Sequence, residues 1–166
     1  MADTPKPALK TPTDLQSNST RSVADALNGI LADSYALYFK TKNFHWHVSG
    51  PHFRDYHLML DDQATQILGT TDAIAERVRK TGNTTLRSIG DIARHQTIKD
   101  NDADYVAPDA MLAELREDNL ALVASLREAK DIVDDAKDNA TSGILDEWTD
   151  QAEERAWFLF EASRKG

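Results

Sequence analysis

Two pairs of metal-binding residue types stand at helical spacing in the middle of the chain. His57 and Asp61 are four residues apart, and so are Asp72 and Glu76. Residues four apart lie on one face of an α-helix, so each pair projects from a single side. Asp61 and Asp72 are eleven positions apart, which places the pairs about 16 Å apart along such a helix. Metal–ligand bonds are only about 2.0–2.6 Å long. One chain therefore cannot hold a single ion with both pairs.

A second copy of the same helix removes this conflict. If two copies cross antiparallel about a two-fold axis, positions whose numbers sum to about 133 face each other. The first pair of one copy then meets the second pair of the other. The midpoint falls near Ile67 and Leu68, which are apolar, as the centre of a self-complementary contact should be. The spacing predicts two identical carboxylate-rich sites per dimer.

Composition and charge restrict the class of protein. The 166 residues are 40% hydrophobic and 28% charged, which is typical of one soluble globular domain. Cysteine is absent, which excludes disulfides, iron–sulfur clusters and cysteine-ligated zinc. With no signal-peptide pattern and no membrane-spanning apolar run, we expect a cytoplasmic protein that does not enter a membrane. The net charge is −9, and residues 100–138 hold twelve acids and four bases. Such a surface repels nucleic acid and attracts cations, although for most of these acids a solvated helix face is the preferred interpretation.

The apolar pattern predicts an all-α chain. Residues 1–20 have little that could pack, so we expect a flexible arm before a domain at 21–166. Apolar residues at three- and four-residue steps predict four amphipathic helices. We expect them over about 23–44, from the Ser49-Gly50-Pro51 break to about residue 80, from about residue 108, and from a cap at Thr141 or Ser142 to the C-terminus. A short helix is expected within 84–107.

Four helices with one long crossover indicate a ferritin-like four-helix bundle, with the short extra helix between helices two and three. Di-iron sites buried inside such bundles use Glu-x-x-His pairs, and no glutamate here is followed three residues later by histidine. Metal chemistry is therefore expected between subunits. Each candidate residue also has an ordinary explanation. His45 could be a hydrogen-bonded core histidine, and the acids could form surface ion pairs: Glu76 with Lys80, and Asp72 with Arg77 or Arg79.

Residues 42–77 resemble a family signature. The run Lys42-x-x-His45-Trp46-x-x-x-Gly50-x-x-Phe53-x-x-x-His57-x-x-x-Asp61, followed by Asp72-x-x-x-Glu76-Arg77, is similar to that of the Dps family, the DNA-protection-during-starvation miniferritins. The resemblance implies a hollow homododecamer with ferroxidase sites at its two-fold interfaces. It also implies oxidation of Fe(II), preferentially by hydrogen peroxide, and storage of the ferric mineral inside, which protects DNA from oxidative damage.

The resemblance also implies roles for individual residues. Each site would bind two ferrous ions, with ligands His45, His57 and Asp61 from one subunit and Asp72 and Glu76 from its neighbour. Trp46 is similar to the tryptophan beside the site in this family and would donate electrons. His47 and His52 lie outside the pattern, and surface roles fit them as well as iron binding. The family's acidic iron-entry pores correspond here to Asp138, Asp146 and Glu147.

Two other functions compete with the ferroxidase. One is a nucleoid-associated, DNA-compacting protein that uses Lys6, Lys10 and Arg21 of the arm. Because the arm carries little net positive charge and the body is acidic, such binding would be weak and salt-sensitive. The other is a helical shell that binds zinc or another divalent ion without redox turnover.

Overall fold

A computed structural model of the chain describes residues 6–164. Its elements are a 3-10 turn at Pro7–Leu9, followed by α1 (Ser17–His47), α2 (Phe53–Lys80), α3 (Ile89–His95), α4 (Pro108–Asp135) and α5 (Asn139–Ala162). No β-strand occurs in this range. None of the helices found there is long and apolar enough to cross a membrane.

The four long helices form a bundle with one crossover. α1 packs along α2, α4 packs along α5, and contacts between α1 and α4 join the two pairs. The short α3 lies in the crossover, against α1. Their shared core consists of fully buried aliphatic side chains and one phenylalanine: Leu27, Leu31, Leu37, Phe44, Leu60, Ile67, Ile74, Leu112, Leu115, Leu126 and Leu145 among others. The predicted ferritin-like bundle with an extra crossover helix is confirmed.

Buried polar contacts hold the crossover and α4 against α1. The carboxylate of Asp33 accepts hydrogen bonds from the amides of Thr97 and Ile98 at 2.6 and 3.0 Å. The ammonium of Lys40, which is almost fully buried, lies 2.9 Å from Glu114 and 2.7 Å from Asp118. A buried cation needs such partners, because leaving it unpaired costs several kcal/mol. These two acids of the 100–138 stretch are therefore structural and not part of a freely solvated face.

The predicted first residues of two helices are wrong. α1 begins at Ser17, not near Val23, because the polar residues before Val23 extend the helix without an apolar stripe to reveal it. α5 begins at Asn139, and its N-cap is Asp138, whose side chain accepts from the amide of Thr141. The ends of α2, the start of α4 and the existence of α3 agree with prediction.

The segment before α1 lies against the end of α2. Gly82 follows α2 with φ +88°, and an added Cβ there would stand 2.8 Å from the carbonyl oxygen of Thr11. The amide of Asn83 donates to the Val78 carbonyl at 3.2 Å, which closes the helix as a glycine C-cap does. Residues 1–5 of the predicted arm lie outside the described residues, as do residues 165 and 166. The division at residues 20 and 21 stays a prediction.

Replacing Gly82 with alanine should therefore release the segment before α1, and Gly50 offers a matched control. Gly50 also has a positive φ of +108°, but nothing lies within 4 Å of its added Cβ. The left-handed backbone costs about 1–2 kcal/mol in both variants. Only Gly82→Ala also displaces Thr11, so trypsin should cut after Lys10 faster in that variant alone. Equal cleavage rates in Gly82→Ala and Gly50→Ala would contradict the contact.

Candidate metal centre

Two histidines meet where α1 ends and α2 begins. Nδ1 of His45 lies 2.7 Å from the backbone carbonyl oxygen of His57, and Nδ1 of His57 lies 2.8 Å from that of His45. The two rings stack, with centroids 3.7 Å apart and planes at 22°. The turn that joins the helices contains Gly50 in the left-handed region, a conformation that glycine adopts without strain. The antiparallel helix pair therefore holds both imidazoles in one place.

The reciprocal bonds fix the tautomer of both rings. A carbonyl oxygen can only accept, so Nδ1 of each ring must carry the proton. In the neutral imidazole Nε2 then keeps its lone pair, which is what a metal ion needs. Hydrogen bonding of the second ring nitrogen to a carbonyl is the usual support for a metal-binding histidine. The ordinary explanation for His45, a hydrogen-bonded core histidine, fits these contacts as well, since the residue is buried.

Asp61 lies beside this pair. Its Oδ1 is 4.0 Å from Nε2 of His45 and 2.7 Å from Nζ of Lys42. The hydrogen bond from Lys42, together with the charge of that lysine, lowers the pKa of the Asp61 carboxyl below its usual value. The carboxyl is therefore ionised at neutral pH. Three of the five predicted ligands, from α1 and α2, thus lie near one another but not close enough to hold an ion between them.

Asp72 and Glu76 lie farther along α2 and do not join this group. Both are exposed. Within residues 6–164, no three histidine, aspartate or glutamate side chains converge closely enough to hold a metal ion. The two halves of the predicted site nevertheless share one face of α2. The residues along that face are half-buried or exposed: Asp61, Thr65, Leu68, Asp72 and Glu76.

The predicted centre of the two-fold contact needs one correction. Ile67 is buried in the core of its own bundle and cannot contact a second copy, whereas its neighbour Leu68 is 40% exposed. Consecutive helix residues point about 100° apart, so only one of the two can lie on the ligand-bearing face. Leu68 is that residue.

The predicted surface ion pairs are present in part. Nζ of Lys80 lies 3.1 Å from Glu76, with both side chains 57% exposed, so this pair contributes little to stability. The proposed pairing of Asp72 with Arg77 or Arg79 is wrong in this structure. Arg77 binds Asp138 at 2.8 Å, and the guanidinium of Arg79 donates to the carbonyl of Asn83.

Trp46 stands beside the histidines but points outward. It is 54% exposed and meets Phe39 edge-on, with ring centroids 5.9 Å apart. Nζ of Lys42 lies 5.8 Å from the Trp46 ring centroid, within the range of a cation–π interaction. His47 and His52 are exposed. The Nδ1 of His47 lies 2.8 Å from the carbonyl of Asn43, and no contact places either ring with the His45 group.

Comparison with known proteins identifies the family to which this chain belongs. The Ferritin family model, described as a ferritin-like domain, matches residues 24–165. A DNA protection during starvation protein of Agrobacterium fabrum is 33% identical over 150 residues, which are 90% of this chain and 93% of that protein. This chain belongs to the Dps family of ferritin-like proteins. A low temperature-induced protein of Nostoc is 35% identical over 146 residues, 87% of this chain and 82% of its own length.

Solved Dps structures share the fold. The crystal structure of a Dps protein from Bacillus brevis superimposes with a TM-score of 0.86 at 29% identity, covering 90% of this chain and all of that one. The described part of this chain, residues 6–164, therefore has the fold of a Dps subunit.

The three predicted pore acids of this Dps chain differ in accessibility. Asp138 is buried, caps α5 and is held by Arg77 and Thr141. Burial opposes ionisation of Asp138, but the bonds from Thr141 and the charge of Arg77 outweigh it and keep its pKa below the usual value. Asp146 is exposed and binds Lys130 at 2.9 Å, and Glu147 is exposed. Only the last two could present a carboxylate to water, and their place in a pore stays a prediction.

The predicted DNA-contact residues are all exposed. Lys6 and Lys10 lie in the segment before α1, and Arg21 lies within the first turns of α1, not in an arm. The prediction missed the contact between Lys42 and Asp61. Lys42 belongs to the Dps signature and stands three residues before His45, which was the one available sign that it faces the site.

Proposed function

We propose that the chain is a ferroxidase and iron-storage protein of the Dps type. The observation that carries this proposal is the reciprocal bonding of His45 and His57, which leaves the Nε2 lone pair of each neutral ring available, with Nε2 of His45 4.0 Å from Oδ1 of Asp61. The exposed Asp72 and Glu76 of a second copy would complete the site across a two-fold axis. Two ferrous ions would bind there as substrate.

The donor set suits iron. Carboxylate oxygens bind Fe(II) and Fe(III), and imidazole adds affinity for the ferrous ion. Three carboxylates around two ferrous ions would offset much of their charge and would stabilise the ferric product still more. That difference lowers the reduction potential of the Fe(III)/Fe(II) couple and favours oxidation of Fe(II).

Hydrogen peroxide is the oxidant that a two-iron site handles most safely. Two ferrous ions give one electron each to one peroxide, which takes up two protons and leaves as two waters. A single iron would deliver one electron and release hydroxyl radical. Trp46, near the site and partly exposed, would supply an electron if that one-electron step occurred.

Family membership supports the remaining features of the proposal. Relatives of this chain are named for DNA protection during starvation. We infer a cytoplasmic homododecamer that encloses a ferric mineral and so keeps iron and peroxide away from DNA. Asp146 and Glu147 are the described residues that would attract ferrous ions to an entry pore.

The ferroxidase proposal predicts a definite stoichiometry. Anaerobic protein loaded with Fe(II) should consume about two irons per added hydrogen peroxide, with little trapped hydroxyl radical. Asp61→Asn and Glu76→Gln should each slow oxidation at least about tenfold, because each removes a charged ligand. Optical measurement of Fe(III) formation and spin trapping in the same sample would follow both quantities.

Asp62→Asn is the matched control for Asp61→Asn. Asp62 is the next residue of α2, but it lines a groove against α5 with Glu154 and Phe158, away from the histidines. The Asp62→Asn variant should oxidise iron at the rate of the parent protein. If the parent protein oxidised Fe(II) only at the protein-free rate, with abundant hydroxyl radical, the result would contradict the ferroxidase proposal and favour structural metal binding.

DNA binding is a second candidate, supported by the exposure of Lys6 and Lys10. In a gel shift at low salt, Lys6→Ala/Lys10→Ala should weaken binding several-fold and flatten its salt dependence, because each lysine releases counterions from phosphate. Lys99→Ala, which removes an exposed lysine from the crossover, should change neither the DNA affinity nor its salt dependence. Equal losses in both variants would show that the arm has no special role.

A further inference from the structure

Helix α5 carries a buried cation that is not paired with a carboxylate. Arg155 is only 4% exposed. Its Nε donates to Oδ1 of Asn119 and its Nη1 donates to Oε1 of Gln66, both at 2.7 Å, and neither acceptor is charged. Burial lowers the pKa of the Arg155 guanidinium to about 10, and the charge of Glu154 opposes this effect only in part. The side chain is therefore protonated at neutral pH, and no ion pair within residues 6–164 neutralises it.

The guanidinium also has hydrogen-bond donors that its protein contacts leave unused. It has five N–H groups in a planar fork. Its bonds to other described residues use one N–H at Nε and one at Nη1. The two amide oxygens fix the plane of the fork, and the N–H groups of Nη2 have no acceptor among residues 6–164. A carboxylate suits such a fork, because its two oxygens accept two parallel hydrogen bonds. Arg155 is therefore oriented to receive an anionic group.

Arg155 borders an open groove between α2 and α5. The groove has a volume of about 450 Å³, which lies within the range of small-molecule sites, about 300–1,000 Å³. Its apolar walls are formed by Leu58, Met59 and Phe158. Leu58 and Phe158 are 43% and 46% exposed, so a ligand that covers them gains hydrophobic contact. Leu58 precedes Gln66 by eight residues, about 12 Å along α2. The apolar walls therefore extend away from the guanidinium.

Three acids also border the groove: Asp55, Asp62 and Glu154. All three are exposed, so water and salt screen their charges. Glu154 is the acid whose charge acts on Arg155, and the Gln66 amide lies between them, with its Nε2 3.4 Å from Oε2 of Glu154. A small inorganic anion would meet this repulsion and gain only the guanidinium. An anion with an apolar body gains the groove walls as well.

We propose that this groove binds an aliphatic carboxylate, the chemical class to which medium-chain fatty acids belong. The carboxylate accepts hydrogen bonds from Arg155, and the hydrocarbon chain lies along the apolar walls. The exposed acids disfavour a second negative charge, so a monocarboxylate binds in preference to a dicarboxylate. The groove lies away from the histidines of the candidate metal centre, and this inference does not depend on the proposed ferroxidase.

Binding of octanoate to the assembled protein tests the inference. Isothermal calorimetry should detect octanoate binding. Octanol has the same chain length but no carboxylate, and it should bind at least about tenfold more weakly, because it cannot accept two charge-assisted hydrogen bonds. Suberate, which adds a second carboxylate to a chain of the same length, should also bind more weakly than octanoate. No octanoate binding, or equal affinities for octanoate and octanol, would overturn the inference.

Two neighbouring glutamates provide a matched pair of variants. Glu154→Gln removes the acid that repels a carboxylate beside Arg155, so octanoate should bind several-fold more tightly. Glu153→Gln removes an acid that pairs with Arg127 and does not border the groove, so the affinity should stay at the parent value. Equal octanoate affinities in these two variants would contradict a carboxylate at Arg155.

Arg155→Gln tests the cation itself. This variant should lose the preference for octanoate over octanol, because the charge that recognises the carboxylate is gone. Circular dichroism would establish whether the variant folds. If it does not fold, the comparison of Glu154→Gln with Glu153→Gln decides the inference. A folded Arg155→Gln variant that still prefers octanoate would overturn it.

Discussion

The rigidity of α2 is the constraint on which the candidate site depends. An α-helix of 28 residues cannot fold back on itself, so Asp72 and Glu76 stay about four to five turns from His57 in any one chain. The cluster itself forms only because α1 and α2 run antiparallel and place His45 against His57. In the proposed ferroxidase, one subunit would therefore display two half-sites on one helix face, and only a second subunit could join complementary halves. Catalysis and assembly would be inseparable in such a protein.

Much of this arrangement could be predicted from local signals. The Ser49-Gly50-Pro51 break and Gly82 mark the ends of α2, and side-chain periodicity places the acidic ligands on one face. The early start of α1 could not be predicted, because the residues before Val23 are polar and show no apolar stripe. Asn83, after α2, donates to the carbonyl of Thr20 at 3.0 Å. No apolar stripe in the sequence signals that contact.

The details of the site depend on the register between helices, which periodicity does not supply. The pairing of Lys42 with Asp61 and the stacking of the histidine rings require α1 and α2 to be aligned to within one residue. The cap of α5 illustrates the same point, since Asp138 is fixed partly by Arg77 from α2. The error at Ile67 had a local cause, because the prediction placed two adjacent residues on one face. Several lysine and arginine side chains of this chain, whose net charge is −9, are thus paired with particular acids. Fewer carboxylates are therefore accessible to cations than the composition suggests.

The most direct test of the shared site is complementation between two inactive subunits. One variant would carry His57→Ala and Asp61→Asn, and the other Asp72→Asn and Glu76→Gln. Each alone should be inactive. Co-expressed at equal amounts, they should regain about one quarter of the parent ferroxidase activity, because half of the random dimers would contain one intact site of two. Mixed assemblies that remain inactive, or activity in either variant alone, would contradict a site built from two chains.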